Sequence, residues 1–242
     1  MDEFKAVNLL LEICEIFDAH KIVYWLDAGT LLGAVREGEF IPWDEDIDLG
    51  TWHENLPYLR LICENLKKMG FVVILEEHSL VAKKDGCKID CALYQIVDKK
   101  AVMPLFIAHN WLSGNLSFLH DILLYGKEIE TSEKSSAKEK IKIPIFAFLQ
   151  MLPSSTKKKL SEICSSGIKK IGAHCFVYKV PIEYFTALSK IDFYGYSFNI
   201  PIKVDHYLTL RYGEKWRIPD RTWVWYKDVP LLAQKRASIE QS

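Results

Sequence analysis

The sequence predicts an α+β fold: a mixed sheet flanked by helices, with a helical insertion and a C-terminal subregion. Three observations carry this. Apolar side chains recur at steps of three and four in residues 1–19 (Phe4, Val7, Leu10, Leu11, Cys14, Phe17) and in residues 54–69 (Leu59, Ile62, Cys63, Leu66), the spacing of helices with one buried face. Short runs at 71–75, 79–83 and 86–93 have the length and two-residue alternation of strands. Residues 131–170 then depart in composition, with nine lysines, three glutamates and no aspartate or arginine. The implied organisation is an α+β core in 1–130, a basic helical insertion in 131–175 and a C-terminal part in 176–242, together forming one compact unit.

A chain of 242 residues, 49% apolar, can bury a real core. Its net charge of −1 gives no footprint for nucleic acid, so no such partner is expected. The six cysteines lack C-x-x-C spacing, which signals neither a disulfide framework nor a zinc site; Cys87 and Cys91, on one strand, read as core thiols. No signal peptide is visible, and no apolar run reaches the roughly 18 residues that a membrane span requires. A reducing, cytoplasmic setting is the simplest expectation.

The chemistry concentrates in residues 24–50, YWLDAGTLLGAVREGEFIPWDEDIDLG. Asp27-Ala28-Gly29-Thr30 follows an apolar run and precedes Leu31 to Arg36, which reads as strand, tight turn, helix. Thr30 is the expected N-cap, Gly29 allows close approach of a ligand, and the helix N-terminus offers N–H groups to a phosphate. Gly38 is expected to close the helix. Asp44, Asp46 and Asp48 then fall at every second residue, so an extended strand would place all three carboxylates on one face. Two such charges about 4 Å apart repel by roughly 4 kcal/mol at an effective dielectric near 20. A hard divalent cation with oxygen ligands, Mg2+ or alternatively Mn2+, would compensate them. The competing reading is a solvated acidic edge, which the apolar neighbours Pro42, Trp43, Ile47 and Leu49 argue against. Arg36, the one cation within this unit, suits bidentate phosphate contact, with a structural ion pair to an aspartate as the alternative.

This segment closely resembles the signature of the LicD and fukutin-related family, a branch of the nucleotidyltransferase superfamily. A weaker similarity recurs at Pro201-Ile202 and at residues 207–213, YLTLRYG, followed by Trp216 and Pro219. The resemblance implies a nucleotidyltransferase-like sheet. It also implies transfer of phosphocholine or a polyol phosphate from a CDP-linked donor to a sugar hydroxyl of a glycan or lipid-linked glycan, releasing CMP. Carried over, Asp44, Asp46 and Asp48 would hold the metal, and Gly29, Thr30, Arg36 and Trp43 would bind the donor. Two alternatives stand beside this: nucleotidyl transfer from a nucleoside triphosphate, and a non-catalytic glycan-binding module.

In residues 86–93 the alternation turns Lys88, Asp90 and Ala92 one way and Ile89, Cys91 and Leu93 the other. An aspartate in such a strand is costly unless paired or bound to metal. The family's fold supplies a further acid from a strand beside the acidic one, and Asp90 fits by position, as general base or metal ligand. Catalysis is thereby assigned to Asp46, Asp48 and Asp90. The alternative is an aspartate bonded to Lys88 or to a turn.

The remainder is less specific. His109, Trp111 and His120 lie among aromatics and receive no role. The run 143–152, IPIFAFLQML, flanked by lysines, suggests a helix that could bring residues 138–170 to an anionic membrane, though a solvated charged face is the commoner outcome. Residues 191–201 read as a hairpin and 204–212 as a helix stopped by Gly213. Trp216, Trp223, Trp225 and Tyr226 could stack on a base or sugar, or simply fill a lid. The tail beyond Pro230 reads as dispensable.

Overall fold

The computed structural model describes residues 1–107, 119, 123, 149, 151–170, 174–224 and 228–230. Helix α1, Glu3–Ala19, begins at an N-cap, Asp2, whose carboxylate accepts from Lys5 N–H. Its buried face is Ala6, Leu9, Leu10, Ile13, Cys14 and Phe17. Phe4, expected on that face, is 77% exposed, because at about 100° per residue it falls on the far side of the helix from this stripe. The other helix read from spacing, α3 (Leu56–Lys68), buries Leu59, Ile62, Cys63 and Leu66, and Gly70 (φ 88°) ends the turn after it.

Between these helices lie β1 (Tyr24–Leu26), α2 (Ala28–Arg36) and β2 (Ile47–Trp52); after α3 come β3 (Val72–Leu75), β4 (Ser79–Lys84), β5 (Cys87–Val97) and β6 (Lys100–Ile107). The mixed sheet runs β1-β2-β5-β4-β3, with β6 on β5 and β7 (His174–Pro181) on β6. The strands β6 and β7 occupy stretches where residue spacing predicts no regular element. The key pairing is β2 with β5, parallel, with Asp48 beside Asp90 and Leu49 beside Cys91. The other defined pairs are antiparallel. Each two-residue hairpin turn has positive φ at both positions: Asp85-Gly86, Asp98-Lys99 and Tyr194-Gly195. Such turns match the twist of the strands they join. The apolar side of β5, with Ile89, Cys91 and Leu93 at 1% exposure or less, joins Trp25, Leu26, Ile47 and Leu49 in the core.

The hairpin β8 (Leu188–Phe193) and β9 (Tyr196–Pro201) leads into a helix, Val204–Tyr212, which ends at Gly213 (φ 86°) as expected. With the basic helix Ser154–Lys170 counted as α4, this last helix is α5. Two compact units result: Met1–Leu105 with Val177–Ser242, and Phe106–Phe176. The second contains α4, but His109, Trp111, His120 and most of the run 143–152 lie outside the described residues, as do Trp225, Tyr226 and the tail. Cys14, Cys63, Cys87, Cys91 and Cys164 are free and buried. Among the described residues no helix is long and apolar enough to cross a membrane.

Candidate active site

The first turn of α2 is built to hold Asp48. Asp27, not Thr30, is the N-cap: its Oδ1 accepts from Ala28 N–H at 2.8 Å. Ala28 takes a left-handed φ of 39°, and the turn that follows directs three groups at one residue. Gly29 N–H donates to Asp48 Oδ2 (2.9 Å), Asp48 N–H donates to Thr30 Oγ1 (2.8 Å), and Asp27 N–H donates to Asp48 O (3.1 Å). Thr30 is 1% exposed and its hydroxyl serves the strand, a correction to its expected role as cap. Gly29 is required by shape, since a Cβ there would stand 2.1 Å from Asp44 Oδ2 and 3.2 Å from Asp48 Oδ2. Gly38 (φ 75°) donates to Gly33 O and closes the helix as expected.

The three carboxylates meet, but not by strand alternation. β2 begins at Ile47, so only Asp48 is on a strand; Asp44 and Asp46 stand in the segment that enters it. Ligand atoms of all three nevertheless lie within 4.8 Å of one another. Burial and the charge of Asp46 push Asp44 up to about 7. Asp48 is also raised, by burial and by Asp46, against the pull of Arg211. Burial acts on Asp46 as well, but Lys88 outweighs it and holds that group low. Lys88 Nζ lies 2.7 Å from Asp46 Oδ2 and 2.7 Å from Asp90 Oδ2. Asp90 therefore carries the Lys88 pairing that the sequence offered as an alternative, while standing beside Asp48 in the sheet. Burial keeps it above the usual carboxylate range despite Lys88. An all-oxygen donor set, partly buried and, among the described residues, paired with one ammonium for four carboxylates, fits a hard divalent ion.

A cleft of about 490 Å³ opens from this face, and Gly29, Arg36, Trp43 and Asp44 all line it with Tyr212, Lys215, Trp216 and Trp223. Arg36 pairs with Glu37 (Nη2 to Oε1, 2.7 Å) rather than with an aspartate, and Nη1 donates to Trp216 O at 3.3 Å. Arg221 lies over the Trp43 ring, 4.7 Å from its centroid.

One cluster went unseen in the sequence. Asp27, 1% exposed, accepts from Tyr94 OH at Oδ2 (2.7 Å) and at Oδ1 from Tyr207 OH and from Arg211 Nη1 (3.3 Å). Arg211 also donates to both hydroxyls and lies over the Tyr178 ring. The C-terminal YLTLRYG run thus ties α5 to the turn that holds Asp48. Its signal was an arginine four residues after a tyrosine on one helix, which points to a shared partner but not to Asp27.

Residues 21–113, which contain β1 to β6, match the family described as LicD/FKTN/FKRP, nucleotidyltransferase domain. An uncharacterized protein of Rickettsia prowazekii is 37% identical over 77 residues, 32% of this chain and 29% of that relative. Human "Ribitol 5-phosphate transferase FKRP" is 38% identical over 69 residues, 28% of this chain and 13% of the relative. The "Lipopolysaccharide cholinephosphotransferase LicD" of Haemophilus influenzae is 46% identical over 44 residues, 18% of this chain and 17% of its own length. The chain therefore spans less than a third of the length of each of these relatives. The turn, the acidic face and the parallel β2–β5 pair all lie inside the matched stretch, so the part of this chain that builds the site is the part that is similar to the LicD/FKTN/FKRP nucleotidyltransferase domain.

Proposed function

We propose that this protein is a phosphotransferase that moves a phospho-alcohol, phosphocholine or a polyol phosphate, from a CDP-linked donor to a sugar hydroxyl of a glycan or lipid-linked glycan, releasing CMP. The observation that carries this is the convergence of Asp46 and Asp48 with Asp44, which lines a cleft together with Gly29, Arg36 and Trp43. Asp44, Asp46 and Asp48 would hold Mg2+, which supplies charge neutralisation to a diphosphate. Gly29 and Thr30 fix Asp48 in place before any ligand arrives, so little reorganisation is left for the reaction. Arg36, only 8% exposed and restrained by Glu37 and the Trp216 carbonyl, presents a fixed positive charge to the cleft. Asp90 accepts the proton of the attacking hydroxyl: its raised proton affinity brings it toward the working pH, where a general base is most effective. Transfer is then a matter of positioning and electrostatics.

The test is product analysis. With Mg2+, a glycan acceptor and CDP-choline, CDP-glycerol or CDP-ribitol in turn, mass spectrometry should find CMP and a phosphodiester-modified glycan with at least one donor. Pyrophosphate released from CTP, with no CMP from any CDP-linked compound, would instead establish nucleotidyl transfer.

A further inference from the structure

The parallel register of β2 and β5 sets Ile47 beside Ile89 and Asp48 beside Asp90; continued by one residue, it brings position 46 next to position 88. A lysine thus faces the middle aspartate across the strands. Its ammonium is 2.7 Å from an oxygen of Asp46 and 2.7 Å from an oxygen of Asp90. Its backbone is held by β4, where it pairs with Lys83, and the next residue, Ile89, is paired with Ile47 of β2. A second metal ion shared by these two carboxylates would need oxygen contacts of roughly 2.0–2.6 Å to both, which is the space the ammonium fills. Two-metal phosphoryl-transfer sites hold their ions about 3.5–4 Å apart with carboxylates between them. Lysine is a compact point charge with three donors, suited to bridge two acids where an ion otherwise would.

We propose that Lys88 replaces a second metal ion, so that the acidic face binds a single divalent cation and Asp90 is left as a base and not a ligand. This rests on the phosphotransferase reading for the one ion it retains, and it can fail separately from that reading. Lys88 neutralises Asp46 and Asp90 together, and the bound ion answers the remaining charge of Asp44, Asp46 and Asp48.

The experiment is a Mn2+ titration of the full chain, with free Mn2+ followed by electron paramagnetic resonance. The native chain and Lys88→Arg should bind one ion per chain, and Lys88→Met should bind two. If Lys88→Met does not fold, Lys88→Gln, uncharged but hydrogen-bonding, is read in its place. Two ions on the native chain, no ion at all, or a single ion after the charge is removed overturns the proposal. One ion gained on loss of Lys88, with no CMP formed from any CDP-linked donor, leaves the single-ion site standing and removes the phosphotransferase function.

Discussion

Asp27 and Asp48 are joined by a backbone hydrogen bond, yet their carboxylates are treated in opposite ways. Asp27 is almost wholly buried and fully answered: a backbone N–H, two tyrosine hydroxyls and an arginine converge on its two oxygens. Among the described residues the Asp48 carboxylate accepts one hydrogen bond, from Gly29, while Asp44 and Asp46 crowd it with like charge. An answered buried charge belongs to the scaffold; Lys88 answers Asp46, but the like charges of Asp44 and Asp48 beside it would still favour a cation. The difference lies in what faces each carboxylate: α5 covers Asp27, whereas the cleft opens on Asp44 beside Asp48.

The largest effect comes from neutralising each aspartate in turn. Asp48→Asn should lower CMP release by about a thousandfold or more, the scale of a group stabilising phosphoryl-transfer charge. Its thermal midpoint should hold or rise, because like-charge repulsion is relieved. Asp27→Asn should do the reverse in kind, leaving Arg211 without its counter-charge and costing about 3–5 kcal/mol in urea denaturation. If Asp48→Asn proves as destabilising as Asp27→Asn, the two carboxylates do not differ in the way argued above.

A smaller effect separates shape from charge. Gly29→Ala introduces a Cβ that collides with the Asp44 carboxylate, a side chain able to move, while adding a better helix former. Stability should therefore hold or rise, and Mn2+ affinity by calorimetry should fall about 10- to 100-fold, as when groups that orient metal ligands are lost. Unchanged affinity would mean that Asp44 contributes nothing to the acidic face.

How much of this could be read from the residues depends on whether the cause was local. The α3 face, the Gly38 and Gly213 stops and the β8–β9 hairpin follow from spacing and turn chemistry within a few positions, and the sequence specified each of them. The convergence of Asp44, Asp46 and Asp48 was legible too, although by a wrong route: alternation suggested a strand, whereas a bend before Ile47 turns Asp46 inward. Thr30 was misplaced because a threonine before an apolar run looks like a cap, and only the folded pairing of α2 with β2 gives it Asp48 N–H instead. Lys88 with Asp46, and Arg211 with Asp27, depend on strand register and on a helix some 180 residues away, information that no local pattern contains.

The smallest effect is also the one that reads the acidic face without any substrate. Asp44 is raised from an ordinary 3.8 to about 7, and Asp48 is raised as well. Between about pH 4 and 7 the metal-free native state therefore keeps protons that the unfolded chain has released, so stability must fall as pH rises through that window. Asp46, held low, contributes in the opposite sense, but its contribution is lost only below the ordinary carboxylate range. The thermal midpoint of the metal-free protein should accordingly decline from pH 5 to pH 8. Mn2+ should restore more at pH 8, where it no longer competes with bound protons, than at pH 5, and Asp44→Asn should flatten the decline. A metal-free midpoint that rises across this range would show that the acidic face is already answered by the protein, as Asp27 is, and that Lys88 alone suffices for its charge.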